Sequence, residues 1–238
     1  MQARDVTANP RIGSYYACGS LVLVLLAVLT PPWGAILLWP AGSCAIAAVG
    51  YFGAGPRIYK KKNGRLSALN RLVMAPVLLG HEVSLRHYRR RGRPWDEAVP
   101  GLLMGRLLEP GEAETLLAGG VTAVLDLASE FSETETLRRV SYFNLPVLDL
   151  TAPTSLQLRR AVEFIRESVR QGTVYVHCKI GYSRTAAVVG AYLMAAGHAD
   201  DADAAMARIR EARSPIVIRP EVVRALHAFE RELGAKGP

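Results

Sequence analysis

One short segment of the chain, residues 174–186, holds a cysteine and an arginine six positions apart with a glycine midway, namely Cys178, Gly181 and Arg184. The apolar residues before Cys178 predict a buried strand, and those after Arg184 predict a helix, so a short loop must join the two. Such a loop can point its backbone N–H groups at one spot in front of the helix N-terminus, which is an anion-binding arrangement. Arg184 adds a planar group that matches two phosphate oxygens, and the same positive field stabilises a thiolate. The segment therefore predicts a nucleophilic cysteine beneath a bound phosphate.

The pattern His177-Cys178-x-x-Gly181-x-x-Arg184-Thr185 resembles the active-site motif of the cysteine-dependent protein tyrosine phosphatase superfamily, and most closely its dual-specificity branch. This resemblance implies that Cys178 attacks phosphorus and forms a phosphocysteine intermediate. It also implies that Thr185 helps the thiolate to leave in the second step and that His177 orients the loop without binding a metal. The expected phosphate-binding residues are those of the loop: Lys179, Ile180, Gly181, Tyr182, Ser183 and Arg184.

The same resemblance implies a general acid, an aspartate on a separate upstream loop that protonates the leaving alcohol. Asp149 is the candidate, because it lies 29 residues before Cys178 and directly after the predicted strand Tyr142–Val147. Asp126 is the competitor, but it lies inside an apolar strand, where a role at the end of the sheet is favoured. The alternative for Asp149 is a carboxylate that only caps a helix or stabilises a turn.

Three functions are compatible with the motif, two of them catalytic and one not. The first acts on phosphotyrosine or phosphoserine/threonine in proteins near a membrane, and the second acts on a phospholipid phosphate, for instance phosphatidylglycerophosphate or a phosphoinositide. The third possibility is a membrane-anchored phosphate-binding module without turnover. Lys179 is either a solvated lysine on the rim or an extra positive charge for a polyanionic headgroup, as in lipid-directed members of the superfamily. Further basic residues are missing from the loop, which weakens the phosphoinositide analogy, since these positions are Ile180, Tyr182 and Ser183.

Beyond about Arg93 the chain shows the alternating strand and helix pattern of an α/β domain. Strands are predicted at Leu102–Leu107, Val121–Leu127, Tyr142–Val147 and Val174–Val176. Helices are predicted at Pro110–Leu117, Ser155–Arg170, Arg184–Ala196, Asp200–Ala212 and Pro220–Leu233. The predicted fold is therefore α/β, a phosphatase-type central sheet flanked by helices and preceded by an N-terminal transmembrane helical hairpin. Residues 95–238 are expected to form the dual-specificity phosphatase-like catalytic domain.

The hairpin is predicted from residues 12–56, a run of 45 positions without a charged side chain. One helix needs only about 20 apolar residues to cross a hydrocarbon core of about 30 Å, and the Thr-Pro-Pro-Trp-Gly sequence at 30–34 interrupts the run. We expect two transmembrane helices, Ser14–Thr30 and Ala35–Tyr51, within a membrane segment that covers residues 1–56. A cleaved signal peptide and a buried hairpin of a soluble domain are the alternatives.

A basic, amphipathic juxtamembrane segment is predicted at residues 57–94. Its apolar positions favour an interfacial helix over Leu66–Tyr88, broken near Pro76 and bracketed by the basic clusters Lys60–Lys62 and Arg89–Arg91. Such clusters bind anionic lipid headgroups. Basic runs also bind nucleic acid, but the adjacent hairpin makes the membrane surface the simpler partner, and no nucleic acid is expected.

Charge and composition limit the other classes of protein. Residues 1–100 carry a net charge of +9 and the remainder −1, so the basic flanks of the hairpin predict a multi-pass protein with its catalytic domain in the cytoplasm. A bacterial inner membrane is expected, since the chain is similar to bacterial membrane proteins that carry such a domain. The composition, 50% hydrophobic and 21% charged, excludes a disordered chain. Cys18, Cys44 and Cys178 form neither a disulfide framework nor a zinc motif, and no metal or cofactor is expected.

Overall fold

A five-stranded mixed sheet forms the centre of the chain beyond residue 94 in the computed structural model, which describes residues 8–214 and 216–235. The strands follow the spatial order β1-β2-β5-β3-β4; β1 and β2 are antiparallel, and the other neighbours are parallel. Because β2, β5 and β3 run in the same direction, their carboxyl ends meet at one edge of the sheet. The strands are β1 Trp95–Val99, β2 Leu102–Arg106, β3 Val121–Ala128, β4 Ser141–Val147 and β5 Thr173–Cys178.

Helices cover the sheet, as the predicted α/β class requires. The helix that follows β5 is buried along nearly its whole length, because it packs between the sheet and the helices outside it. The helices of this region are α4 Pro110–Ala118, α5 Ser155–Ser168, α6 Ser183–Ala195, α7 Ala202–Ala212 and α8 Pro220–Gly234, with a short 3-10 turn at Leu137–Arg139. The α/β fold with two apolar N-terminal helices is confirmed.

The edge strand β1 is the element that the sequence did not predict. Its second residue, Asp96, is polar yet buried. The carboxylate of Asp96 accepts a 2.5 Å hydrogen bond from Nη1 of Arg213 and forms an ion pair with Arg93 at 2.8 Å. These partners come from distant or exposed parts of the chain. The local sequence by itself therefore indicates a polar turn, although these residues form a strand that pairs with β2.

Two helical segments near the N-terminus, Pro10–Leu29 and Trp33–Tyr59, are long and apolar enough to cross a membrane by length and composition. The first is helix α1, capped by the side chain of Asn9. The second segment contains a 3-10 turn, helix α2 and then a wider turn before the chain leaves the hairpin. Its parts are Trp33–Leu37, α2 Leu38–Val49, Gly50–Ala54 and Gly55–Tyr59.

Helix α3, in the segment predicted to be juxtamembrane, runs unbroken over Ala68–Arg89, so the predicted break near Pro76 is wrong. A proline inside a helix leaves the carbonyl four residues earlier without its usual donor. Here that carbonyl belongs to Leu72, and it accepts a 3.1 Å hydrogen bond from the indole Nε1 of Trp39 on α2. The neighbouring helix therefore supplies the donor that Pro76 removes, and α3 continues through the proline.

Candidate active site

The loop between β5 and α6 curves tightly around the sulfur of Cys178. Gly181 has a φ of +76°, and a Cβ at this position would lie 2.3 Å from the carbonyl carbon of Gly105 on β2. Only glycine combines that backbone angle with such a close approach. In this conformation the amide of Gly181 donates to Cys178 Sγ over 3.3 Å. The sequence-predicted curl of the loop around the cysteine is present in the structure.

The surroundings of Cys178 favour its thiolate. Burial by itself raises the pKa of the thiol, but the Arg184 guanidinium, the nearby Thr185 hydroxyl and the amides of Ile180 and Gly181 outweigh that effect. The pKa of Cys178 therefore lies below its ordinary value. A lower pKa means that more of Cys178 is present as the thiolate, which is the form that attacks electrophiles.

Arg184 lies beside the sulfur and is fixed by a pair of bonds to Glu130. Its Nη1 and Nη2 donate to the two carboxylate oxygens over 3.0 and 2.7 Å, and Nη1 also donates to the carbonyl of Val147 over 2.9 Å. Burial alone would raise the pKa of Glu130, but the adjacent guanidinium lowers it strongly. This buried two-point contact sets the plane of the guanidinium.

Sequence reasoning missed two buried carboxylates, Glu130 and Glu133. Glu133 Oε2 lies 2.7 Å from Nε2 of His177, and this pair raises the pKa of the histidine although burial opposes the shift. Both glutamates follow β3, whose carboxyl end lies beside that of β5, the strand that ends at Cys178. A buried arginine at that edge needs an acidic partner, and this requirement was the signal available in the sequence.

Asp149 also lies at this edge, with Oδ1 3.0 Å from Nη2 of Arg184 and Oδ2 in an ion pair with Nζ of Lys179. Burial raises the pKa of Asp149, yet Arg184 and Lys179 together hold it below its ordinary value. Of the two alternatives for Lys179, the solvated lysine on the rim is wrong, because only 4% of its side chain is exposed. The carboxylate of Asp149 draws the ammonium group inward.

Asp126 is buried away from the sulfur at the end of β3. Its Oδ2 accepts hydrogen bonds of 2.5 Å from Tyr142 and from Nζ of Lys61, whose side chain is 1% exposed. Within the predicted basic cluster Lys60–Lys62, the middle residue therefore does not face lipid headgroups. A buried carboxylate needs a counter-charge, and Lys61 supplies it.

Among the residues that the structure describes, two groups of acidic and histidine side chains have the donor atoms for a metal ion, and within each group these atoms lie within 4.8 Å of one another. Both already hold a protein cation. Lys179 and Arg184 occupy the first group, and Lys61 pairs with Asp126 in the second. The groups are His81 with Glu130 and Asp149, and Asp126 with Glu133 and His177.

A cavity of about 440 Å³ opens above the sulfur. One wall is a face of helix α3, and Tyr16 of the hairpin helix α1 also lines it. On this wall Nδ1 of His81 lies 3.3 Å from Nζ of Lys179 and 3.8 Å from Oδ2 of Asp149. His81 was not among the predicted site residues, since a single histidine in an amphipathic helix carries no signal in the sequence. The α3 residues that line the cavity are Val77, Gly80, His81, Ser84 and Tyr88.

Residues 111–232, just over half of the chain, match the family described as the dual specificity phosphatase catalytic domain. The chain is 28% identical over 186 residues to an Arabidopsis thaliana phosphatidylglycerophosphate phosphatase, PTPMT2, and the match covers 75% of this chain and 81% of that protein. A Rattus norvegicus phosphatidylglycerophosphatase and protein-tyrosine phosphatase 1 is 38% identical over 99 residues, 41% of this chain and 51% of the rat protein. The crystal structure of PTPMT1 in complex with PI(5)P superimposes with a TM-score of 0.55 and 26% identity, covering 60% of this chain and 99% of that structure.

Proposed function

The chain belongs to the dual-specificity phosphatase family, and from this premise we propose that it hydrolyses the phosphomonoester of a membrane phospholipid. The phosphoprotein class, which the sequence alone put first, takes second place. The names of both curated relatives given above include an activity on phosphatidylglycerophosphate, the rat protein is also named as a protein-tyrosine phosphatase, and the solved relative was crystallised with PI(5)P. Phosphatidylglycerophosphate is therefore the substrate that the relatives favour most.

The reaction that we propose has two steps. In the first, the thiolate of Cys178 attacks phosphorus, a P–S bond forms, and the bond from phosphorus to the leaving oxygen breaks. Asp149 donates the proton that the leaving alcohol needs. In the second step a water molecule gives its proton to Asp149 and attacks phosphorus, and the P–S bond breaks to release inorganic phosphate. Arg184 and the loop amides hold the phosphoryl oxygens throughout, and the Thr185 hydroxyl stabilises the departing thiolate.

The charge of the substrate prepares the general acid. In the free protein Asp149 is held ionised by Arg184 and Lys179, whereas an acid must carry a proton. A phosphate dianion in the loop neutralises these two cations, so the pKa of Asp149 rises when substrate binds. The contact between Arg184 and Asp149 is the one that the phosphate replaces, while Glu130 keeps the guanidinium in place.

The observation that supports the lipid proposal most is that helix α3 forms one wall of the cavity. The wall residues Val77, Gly80, His81 and Ser84 come from α3, a helix that packs against the apolar hairpin. A different face of α3 exposes a stripe of large apolar side chains, which suits the boundary between headgroups and acyl chains. A headgroup that enters this cavity can keep its acyl chains in the bilayer. The exposed stripe comprises Leu69, Leu72, Leu79 and Val83.

We further propose the division into a membrane hairpin at 1–56, a juxtamembrane segment at 57–94 and a catalytic domain at 95–238. The basic residues that flank the hairpin support a cytoplasmic catalytic domain, and in a bacterial cell the membrane would be the inner one. A protease added to sealed inverted vesicles should cleave the catalytic domain. Protection in inverted vesicles, with cleavage in spheroplasts, would contradict this orientation.

A substrate panel tests the proposed function. The full chain in mixed micelles should release phosphate from short-chain phosphatidylglycerophosphate with a kcat/KM at least about tenfold above that for phosphotyrosine and phosphothreonine peptides. Cys178→Ser is the control and should abolish release from every substrate while it keeps phosphate binding. A preference for the peptides would restore the phosphoprotein alternative. Phosphate binding without turnover of any substrate would support the non-catalytic module.

A further inference from the structure

The backbone of the loop that carries Asp149 is held by the membrane hairpin. The hydroxyl of Tyr51, at the end of the hairpin, donates a 3.0 Å hydrogen bond to the carbonyl of Asp149. The side-chain amide of Asn9, at the start of α1, donates to the next carbonyl, that of Leu150, over 2.9 Å. The two ends of the hairpin therefore donate hydrogen bonds to the carbonyl groups of two consecutive residues in one loop.

This loop needs external support, because its conformation is unfavourable by itself. Leu150 has a φ of +58°, a left-handed backbone angle that a residue with a branched side chain rarely adopts. Such conformations persist only where the surroundings fix them. Two positions before Leu150, Leu148 is 1% exposed and packs in a cluster with Tyr51, Tyr59 and Val77. The hairpin and α3 therefore fix both the polar and the apolar groups of the loop.

The side chain of Asp149 is restrained from the same direction. Its partner Lys179 contacts Nδ1 of His81 over 3.3 Å, and Nε2 of this histidine lies 3.2 Å from the hydroxyl of Tyr59. Since the ammonium group of Lys179 can only donate, Nδ1 accepts and the proton of a neutral ring lies on Nε2. A chain of contacts thus runs from the end of the hairpin through α3 to the carboxylate.

We propose that the hairpin is a positioning element for the acid step, with Tyr51 and Asn9 as positioning residues of the loop that carries Asp149. This proposal rests on the proposed function, in which Asp149 is the general acid. It goes beyond anchoring, because an anchor alone has no need to hydrogen-bond this loop. Displacement of a reacting group by about 1 Å can cost a factor on the order of 100 in rate, so two such hydrogen bonds have a measurable effect.

The choice of leaving group separates acid positioning from general stability. An alkyl phosphate needs a proton on its leaving oxygen, whereas p-nitrophenyl phosphate releases a stable anion without one. The test variant combines Tyr51→Phe, which removes one hydroxyl, with Asn9→Ser, which keeps a helix-capping side chain but is too short to reach Leu150. Tyr15→Phe is the matched control, since this exposed tyrosine of α1 bonds only Arg11 among the described residues. Asp149→Asn measures how much of the rate is lost when the general acid is removed completely.

The double variant should lose about 10- to 100-fold in kcat/KM on short-chain phosphatidylglycerophosphate and less than about threefold in kcat/KM on p-nitrophenyl phosphate. This ratio reports the step that releases the alcohol and excludes the hydrolysis of the intermediate, which is the same for both substrates. Tyr15→Phe should match the wild type on both substrates. Equal losses on the two substrates, or no loss on the alkyl phosphate, would overturn the positioning role. If Asp149→Asn itself fails to discriminate between the substrates, the assignment of the acid in the proposed function is wrong. If Asp149→Asn discriminates and the double variant does not, only the positioning role fails.

Discussion

The carboxylate of Glu130 and the guanidinium of Arg184 form a buried two-point ion pair, with both oxygens bonded at 3.0 and 2.7 Å. The two residues are 54 positions apart and reach each other because β3 and β5 are parallel neighbours whose carboxyl ends coincide. The pair holds the guanidinium beside the sulfur of Cys178. In the proposed reaction it fixes the phosphate-binding arginine before substrate arrives.

Glu130→Gln should therefore lower both stability and activity. Removing one partner of a buried pair typically costs about 3–5 kcal/mol, because the other charge stays buried without compensation. We expect that loss in chemical unfolding of the detergent-solubilised protein and a fall in kcat/KM on the order of 100-fold. Glu135→Gln is the control, since the side chain of Glu135 is 70% exposed and its ion pair with Arg65 is at the surface. Its effect should be below about 1 kcal/mol. Similar effects of the two variants would contradict the role of Glu130.

Lys61→Met should destabilise the protein although the residue lies in a basic cluster. The substitution leaves the Asp126 carboxylate buried without its cation, and we expect a loss of about 3–5 kcal/mol. Lys62→Met, at the exposed neighbouring position, should change stability by less than about 0.5 kcal/mol. Equal stabilities of the two variants would show that the buried pair is absent.

Gly181→Ala and Gly111→Ala should have opposite effects. Alanine at position 181 meets the backbone of Gly105 and a φ of +76°, so we expect a loss of more than about 1 kcal/mol together with the loss of phosphate binding. Gly111 lies in the first turn of α4 with open space around it, and alanine there should stabilise the protein by up to about 1 kcal/mol. Vanadate binding followed by fluorescence and thermal unfolding measure both effects. A Gly181→Ala protein that binds vanadate normally would contradict the loop geometry.

The thiol of Cys178 should react with iodoacetamide at unusually low pH. A pKa below the ordinary value means that the thiolate forms at lower pH, so the rise in alkylation rate with pH should occur below that of a free thiol. Replacing Cys18 and Cys44 by serine leaves Cys178 as the single reactive thiol. In this background, Arg184→Met combined with Glu130→Gln removes the cation together with its partner carboxylate, so the net charge of the site does not change. The curve of alkylation rate against pH should then move to higher pH. An unchanged curve would show that Arg184 does not stabilise the thiolate.

The loop between β5 and α6 could be predicted from the sequence because its determinants are local. Cys178, Gly181 and Arg184 lie within seven residues between a strand and a helix, so their spacing fixes their geometry. Strands β2 to β5 could be predicted from the period of their apolar residues, and the hairpin from the length of its apolar run. Asp149 could be selected because it follows a predicted strand, although its catalytic role remains a prediction.

The partners of these residues could not be predicted, because they depend on contacts between distant segments. Glu130 is indistinguishable in sequence from a surface glutamate, and only the position of β3 beside β5 brings it to Arg184. The burial of Lys179 depends on Asp149 and on His81, which lie 30 and 98 positions away. The continuity of α3 through Pro76 likewise required the indole of Trp39.

Trapping the covalent intermediate tests whether Cys178 is the nucleophile. Full-length protein mixed with substrate and quenched in acid within milliseconds should carry one phosphoryl group on the sulfur of Cys178, identified by mass spectrometry of the peptide. Asp149→Asn should change the amount that accumulates, and Cys178→Ser should carry none. Turnover of substrate with no phosphocysteine, or with the phosphoryl group on another residue, would contradict the account.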